Sequence, residues 1–222
     1  MAQAAGYPEG DVDPTYRQAM DRLLALGREF QLPYSLYAIG RDLDDPFACE
    51  RLRALAGAGH EIGNHTWNHY MDLGALALDA MREEIVRTHE RLEDAVGVAP
   101  RGFISPAWCY SARLMRLLNE LGYRYDMSQF PSLLYYPFVI KNALDHIGHS
   151  EKLRRVLNRR DWPQPIVGSR EPHLEDDVMV FPVPTTPGPL GIAVWHTTGF
   201  LLGWERHFAL LRAAVKAGRF FY

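Results

Sequence analysis

The stretch GHEIGNHTWNH, residues 59–69, places three histidines, one glutamate and two asparagines within eleven positions. It lies between two segments, 46–56 and 73–92, whose apolar spacing predicts helices. Its beginning, HEIG, is typical of a short buried strand. Because active sites in α/β folds lie at the carboxyl ends of strands, His65 and His69 occupy the position where functional side chains are expected.

Short apolar strands and helices alternate along the chain on both sides of this stretch. This pattern indicates an α/β fold with a parallel sheet or barrel and helices outside. The predicted strands are 34–40, 60–63, 101–105, 123–126 and 178–183, and the predicted helices are 13–30, 46–56, 73–97, 111–122 and 204–217. Residues 133–164 break the rhythm. We interpret them as an insertion within a single catalytic domain that spans 1–222.

The charge balance and the cysteines exclude several classes of protein. The 222 residues carry 24 basic and 27 acidic side chains, a net charge of −3, which favours a small-molecule or glycan partner over nucleic acid. The two cysteines, Cys49 and Cys109, form no paired motif and predict neither a disulfide nor a thiolate metal site. No signal peptide or membrane-spanning run is visible, so the sequence predicts a soluble chain, cytoplasmic if its amino terminus is native.

His65 and His69 are four residues apart and can converge on a helical turn or in a tight loop. Two imidazoles and a carboxylate form a three-ligand site for a divalent ion with one position open for water. The alternative is that they are polar residues at the end of a strand. His60 is within ligand range in the sequence, but strand alternation directs it to the other side.

The same stretch resembles the second motif of the NodB-type polysaccharide deacetylases, carbohydrate esterase family 4, in which His-Ser/Thr-x-x-His supplies two metal ligands. QLPYSLYAIGRDL, GFISPAWCYS and LGYRYDMSQFPS resemble the family's neighbouring segments in the same order. The resemblance implies an incomplete, deformed (β/α) barrel that binds a divalent metal, most plausibly zinc, at an Asp-His-His site. It also implies hydrolysis of N-acetyl groups from an amino sugar or polysaccharide.

The family's first motif carries two aspartates after an apolar strand, one as catalytic base and one as metal ligand. In this sequence DVDP offers Asp11 as the base and Asp13 as the ligand. The residues before it are rich in Gly and Pro and do not predict a strand. The alternative reading makes Asp13 the N-cap of a helix that begins at Pro14. In that case the first strand is missing from the chain.

The third motif of the family has an arginine before its proline, and here that position is Ile104. Arg101 is the candidate replacement, with a solvated arginine as the alternative. Pro106 and Trp108 are expected to shape the substrate pocket, with ordinary core packing as the alternative. Asp126 is expected to bind substrate or orient a histidine, with a turn carboxylate as the alternative.

The sequence ends within an apolar run, RFFY, that resembles the start of the family's last strand, so the general-acid histidine is expected beyond Tyr222. Two other functions stay open. One is a metal-independent amide or cyclic-ureide hydrolase on the same fold, similar to the allantoinases. The other is a catalytically inactive glycan-binding relative, which Ile104 favours.

The segment EKLRRVLNRR is basic, and its residues 152–160 are expected to form a solvated helix face. The alternative is a lid in which four arginines grip an anionic or lipid-linked glycan. Those arginines are Arg154, Arg155, Arg159 and Arg160.

Overall fold

The structure is a computed structural model that describes residues 15–188 and 191–218. Asp11 and Asp13, the predicted base and acidic ligand, lie outside the described residues, as does the strand-like end of the chain. The chain divides into two compact units. The first contains Met1–His69 and Arg82–Phe103, and the second contains Tyr70–Met81 and Ile104–Tyr222.

The first unit contains three parallel strands and the helices that cover them. The strands are β1 (Ser35–Ala38), β2 (Glu61–Asn64) and β3 (Gly102–Phe103). The helices are α1 (Met20–Phe30), α2 (Pro46–Gly57) and most of α3 (Leu78–Val96), and a π-helical turn, Thr15–Ala19, precedes α1. β2 lies between the other two strands, with Ser35 opposite Glu61 in β1 and Asn64 opposite Phe103 in β3.

Local sequence explains where helix α2 begins. Asp45 is its N-cap and accepts a hydrogen bond from the backbone N–H of Phe47 at 2.9 Å, while Pro46 occupies the first helical position. The apolar faces of α1 and α2 bury Leu24 and Leu52 in one cluster with Ile62 of β2. This packing fixes the strands whose carboxyl ends carry the candidate site.

The second unit also mixes strands and helices. Its strands are β4 (Tyr125–Asp126), β5 (His173–Glu175) and β6 (Val178–Val180). Its helices are α4 (Ala112–Glu120), α5 (Tyr135–Asp145), α6 (Ser150–Leu157), α7 (Gln164–Val167), α8 (His196–Leu202) and α9 (Trp204–Lys216). β4 and β6 are parallel, whereas β5 runs antiparallel to β6. The predicted α/β class with mostly parallel strands is confirmed, while the closure of the barrel and its missing first strand stay predictions.

Strand β5 was not predicted, although its hairpin has a local signal. Asp176 and Asp177 join β5 to β6 and have φ angles of 47° and 62°. Two-residue hairpin turns of this kind require positive φ at both central residues, and Asp tolerates that region better than most side chains. The pair Asp-Asp before an apolar run was therefore the feature that indicated the turn.

The segment 133–164, predicted as an insertion, is largely helical and contains α5 and α6. The prediction of a solvated basic face is wrong for two of its arginines. Arg159 is only 3% exposed and pairs with Asp161 at 2.7 Å. Arg155 pairs with the buried carboxylate of Asp72 at 3.0 Å. Both arginines are paired with buried carboxylates, and a buried charge is found in proteins when it has such a partner.

Within the described residues, no helix combines the length and the apolar character needed to cross a membrane.

Candidate functional site

The turn that follows strand β2 brings the two predicted histidine ligands together. The backbone N–H of His65 donates to the carbonyl of Ala38 at 3.0 Å, which continues the pairing of β1 and β2 by one residue. The His65 and His69 ring centroids are 4.8 Å apart, and the ring planes meet at 68°. Both side chains are partly exposed. The turn therefore presents two neighbouring imidazoles at the carboxyl end of β2.

This turn has an unusual backbone that its own side chains support. Thr66 and His69 have φ angles of 64° and 58°, in the left-handed region that non-glycine residues rarely adopt. The side-chain oxygen of Asn64 accepts from the Thr66 N–H at 2.8 Å, and the Thr66 hydroxyl accepts from the His69 N–H at 3.2 Å. Asn64 is fully buried and also donates to the carbonyl of Ile85 at 2.9 Å. These bonds fix the backbone on both sides of His65.

Helix α3 holds the other half of the turn through Glu84. Its carboxylate accepts from the backbone N–H of Asn68 at 2.7 Å and from the Asn68 side-chain amide at 2.5 Å. The Glu84 carbonyl also accepts from the N–H of Trp67 at 3.0 Å. Glu84 is only 6% exposed, so these hydrogen bonds to a charged acceptor form largely out of water. The residue before His69 is thus clamped to a rigid helix.

The protonation state of His69 suits a metal. Burial, and after it the repulsion between two positive imidazoles when His65 is nearby, lower the pKa of His69 to about 3. His69 is therefore neutral near pH 7, which is the form that binds metals.

The separation of the rings also fits a shared ion. Two imidazoles that bind one tetrahedral zinc through nitrogens at about 2.1 Å have centroids roughly 5 Å apart. The observed separation of 4.8 Å agrees with that value. Among residues 15–188 and 191–218, no group of three His, Cys, Asp or Glu side chains could hold a metal. Asp13, the acidic ligand expected from the sequence, lies outside the described residues.

His60 lies at the opposite end of β2, where its ring stacks on Tyr34 with centroids 3.8 Å apart. It precedes the strand that His65 follows. The structure therefore does not bring His60 to the candidate metal site, in agreement with strand alternation.

Arg101 is exposed and immediately precedes β3. Because β2 and β3 are parallel, Arg101 lies at the amino end of its strand, whereas His65 lies at the carboxyl end of β2. The structure does not bring the two residues together.

Pro106 and Trp108 form a short turn in the second unit after the residues that follow β3. Pro106 is buried, and Trp108 has a φ of 53°. The Trp108 ring meets Phe130 and Trp195 edge to face, with centroids 5.4 Å and 4.7 Å apart. Trp108 as a residue is partly exposed, and its ring packs against this aromatic cluster.

Asp126 is fully buried at the end of β4. Its carboxylate accepts hydrogen bonds from the backbone N–H of Ser128 at 2.9 Å and from the Ser128 hydroxyl at 2.5 Å. Burial raises the pKa of Asp126 to about 7, although the bonds from Ser128 act in the opposite direction. This geometry is that of a carboxylate that organises the turn after a strand.

The sequence interpretation missed Asn64 and Glu84, the two side chains that hold the histidine turn. Asn64 had a weak signal, because an Asn directly after an apolar strand often bonds the backbone two residues on. Glu84 had none. It occupies one of several acidic positions on a long helix, and its partner Asn68 is 16 residues away.

Known proteins resemble this chain in sequence and in fold. The polysaccharide deacetylase family matches residues 10–125, just over half of the chain. The peptidoglycan deacetylase of Helicobacter pylori is 28% identical over 156 residues, which cover 69% of this chain and 50% of that protein. The uncharacterized protein YlxY of Bacillus subtilis is 32% identical over 68 residues, 31% of this chain and 21% of that protein. The chain thus spans half or less of these relatives.

A solved structure extends the likeness of the fold. The crystal structure of a "putative polysaccharide deacetylase" from Mycobacterium smegmatis superposes with a TM-score of 0.56 at 22% identity. The match covers 90% of this chain and 59% of that one. At this identity the likeness concerns the fold alone. The family match over residues 10–125, which includes the histidine turn, shows that the chain belongs to the polysaccharide deacetylase family.

Proposed function

We propose that this protein removes N-acetyl groups from an amino sugar or polysaccharide with the help of a divalent metal, zinc in the first instance. The observation that carries the proposal is the pair of neighbouring imidazoles, His65 and His69, at the carboxyl end of β2 in a member of this family. The relative from Helicobacter pylori, a peptidoglycan deacetylase, supports an N-acetylated glycan as the substrate.

The roles of the residues follow from their chemistry. His65 and His69 would hold the metal as neutral ligands, with Asp13 as the acidic third ligand, and Asp11 would accept a proton from the attacking water. When bound, the ion supplies a Lewis acid that polarises the acetamide carbonyl and acidifies water. Glu84 and Asn64 keep the turn rigid, so that both imidazoles are oriented before substrate arrives.

We propose Trp108 and Pro106 as substrate-binding residues. Trp108 is partly exposed and offers an aromatic side chain to a sugar face, and Pro106 lies in the same short turn. Asp126, buried and bonded to Ser128, supports the neighbouring backbone and does not contact the sugar.

The test is zinc-dependent release of acetate from N-acetylglucosamine oligomers, together with metal content. The single variants His65→Ala and His69→Ala are each expected to lose bound zinc and activity. Each removes one imidazole ligand, and water in its place binds the metal much more weakly. His149→Ala is the matched control, since it removes an exposed histidine from the start of α6. A double alanine variant that retained full zinc content would contradict the proposed ligand pair.

The same measurements separate the proposal from a glycan-binding protein without activity. That alternative is favoured by Ile104, which occupies the position of the family's arginine. It predicts no acetate release at any metal concentration but saturable binding of the oligomers. A metal-independent hydrolase would instead release acetate, or open an amide ring, at an unchanged rate after treatment with a chelator.

A further inference from the structure

The second unit contains a cavity of about 550 Å³ that the proposed reaction does not use. Most of its walls come from three segments: the turn 109–112 before and within the start of α4, the residues 160–169 around α7, and strand β5. Gly74 and Gln129 complete the lining. This volume is in the range of about 300–1,000 Å³ that is usual for small-molecule sites.

One wall of the cavity is a rigid frame of hydrogen bonds. The Tyr110 hydroxyl donates to the carboxylate of Glu175, and the Tyr110 backbone N–H donates to Asp161 at 3.3 Å. Asp161 is in turn bound by the buried guanidinium of Arg159 at 2.7 Å and 3.1 Å. The charge of Asp161 is therefore neutralised inside the protein and does not compete for a ligand in the cavity.

Arg160, the next residue, is the cation of this cavity. It is exposed and lines the space, and it forms no ion pair or hydrogen bond with any residue that the structure describes. A planar guanidinium offers several N–H donors that match a carboxylate in two-point geometry. An anionic group on a ligand is its natural partner.

Gln129 supplies a second, independent reason for a ligand. Its side chain lines the cavity and is only 4% exposed, yet its amide oxygen has no hydrogen-bond partner within the described part of the chain. A buried acceptor without a donor destabilises the folded protein, because it has lost its hydrogen bonds to water. The Gln129 amide packs against Gly168. A Cβ atom added to Gly168 would lie 3.4 Å from the Gln129 amide and 2.7 Å from the carbonyl of Gln164. A ligand N–H or O–H is the group that would complete this amide.

The remaining wall is apolar and aromatic. Pro163 and Val167 line it together with the half-buried Tyr110. A ring with polar substituents on its edge and C–H groups on its face matches such a lining, whereas a bare inorganic anion would leave the apolar wall in contact with water.

We propose that this cavity binds an N-acetyl sugar that carries a carboxylate. The carboxylate pairs with Arg160, and an amide or hydroxyl group of the sugar donates a hydrogen bond to Gln129. The choice of a sugar as the ligand rests on the proposed function. Of the four arginines first considered as a lid, Arg160 is the one that lines this cavity.

A matched pair of sugars tests the proposal. N-acetylmuramic acid differs from N-acetylglucosamine by a lactyl ether that carries a carboxylate. NMR titration of the protein with each sugar is expected to show tighter binding of N-acetylmuramic acid, by about two- to fivefold, which is the contribution of an ion pair at an exposed arginine. Lactate alone serves as the control for an anion without a sugar, and it is expected to bind more weakly than N-acetylmuramic acid.

Two arginine variants give the control in the protein. Arg160→Gln is expected to abolish the preference for N-acetylmuramic acid, whereas Arg154→Gln, an exposed residue of the same basic segment that does not line the cavity, is expected to keep it. Unchanged melting temperatures show that both variants fold. Equal binding of the two sugars, no binding of either, or an unchanged preference in Arg160→Gln would overturn the proposal.

Acetate release from neutral N-acetylglucosamine oligomers separates this proposal from the proposed activity. If the protein binds N-acetylmuramic acid through Arg160 but releases no acetate, the proposal of the cavity site is supported and the proposed deacetylase activity is contradicted. If the protein releases acetate from neutral oligomers but shows no preference for the acidic sugar, only the proposal of the cavity site is contradicted.

Discussion

The clamp between Glu84 and Asn68 allows the most direct test of how the fold positions the histidine turn. The Glu84 carboxylate accepts two hydrogen bonds from Asn68, one from its backbone and one from its side chain. In Glu84→Gln, one of the two acceptor oxygens becomes an NH₂ group, which faces a donor and cannot accept. The substitution removes the charge and at least one of the two bonds while it keeps the volume.

Each hydrogen bond to a charged group contributes about 1.5–3 kcal/mol to stability. The variant loses one such bond and places two N–H donors against each other, so its unfolding free energy is expected to be lower by about 2–3 kcal/mol. For a domain of this size that cost lowers the melting temperature by about 4–12 °C. Zinc affinity is expected to fall by about tenfold, because groups that orient metal ligands tune affinity by that order.

Urea denaturation and zinc titration measure the two effects in parallel. Glu83→Gln is the matched control, since Glu83 is the exposed neighbour on the same helix and its loss of charge is the same. Surface substitutions usually change the unfolding free energy by no more than about 0.5 kcal/mol. If the unfolding free energy of Glu84→Gln stays within that range of the wild-type value, Glu84 does not hold the turn and the reasoning is refuted.

Three further predictions concern other parts of the structure. The raised pKa of Asp126, about 7 against an ordinary 3.8, means that its contribution to stability is full below about pH 4 and falls as the pH rises to 7; Asp126→Asn is expected to flatten that slope in urea titrations at several pH values. Gly40→Ala would place a Cβ 2.4 Å from the Trp67 ring and is expected to cost about 1–3 kcal/mol, whereas Gly57→Ala meets open space at the end of α2 and is expected to be neutral or slightly stabilising in the same denaturation assay. Arg159→Ala leaves its buried carboxylate partner without a counter-charge and is expected to lower the unfolding free energy by about 3–5 kcal/mol, and a change below 1 kcal/mol would contradict the buried pair.

Short-range patterns in the sequence predicted the elements of the first unit and the histidine pair. The spacing of apolar residues located the helices, among them the one predicted at 46–56. His65 and His69 were placed after a strand because the strand and the histidines are adjacent in the chain. Such features depend on the geometry of a few consecutive residues, which the sequence carries directly.

Partnerships across the chain were not predictable in the same way. The basic segment appeared to be a solvated face because its composition is charged, yet Arg159 is enclosed by the adjacent Asp161 and by the carbonyl of Met71, 88 residues away. Composition reports the charge of a side chain and contains no information on which groups surround it.

The sequence by itself determined the α/β class, the order of the main elements and the two imidazoles at the end of β2. Only the tertiary structure decided that Glu84 clamps the turn that carries them, that Asp126 is buried against Ser128, and that Arg101 and His65 lie at opposite ends of neighbouring strands. The physical reason is that secondary structure follows from local periodicity and backbone preference. The burial and hydrogen bonding of a polar side chain depend instead on distant segments that meet only when the chain has folded.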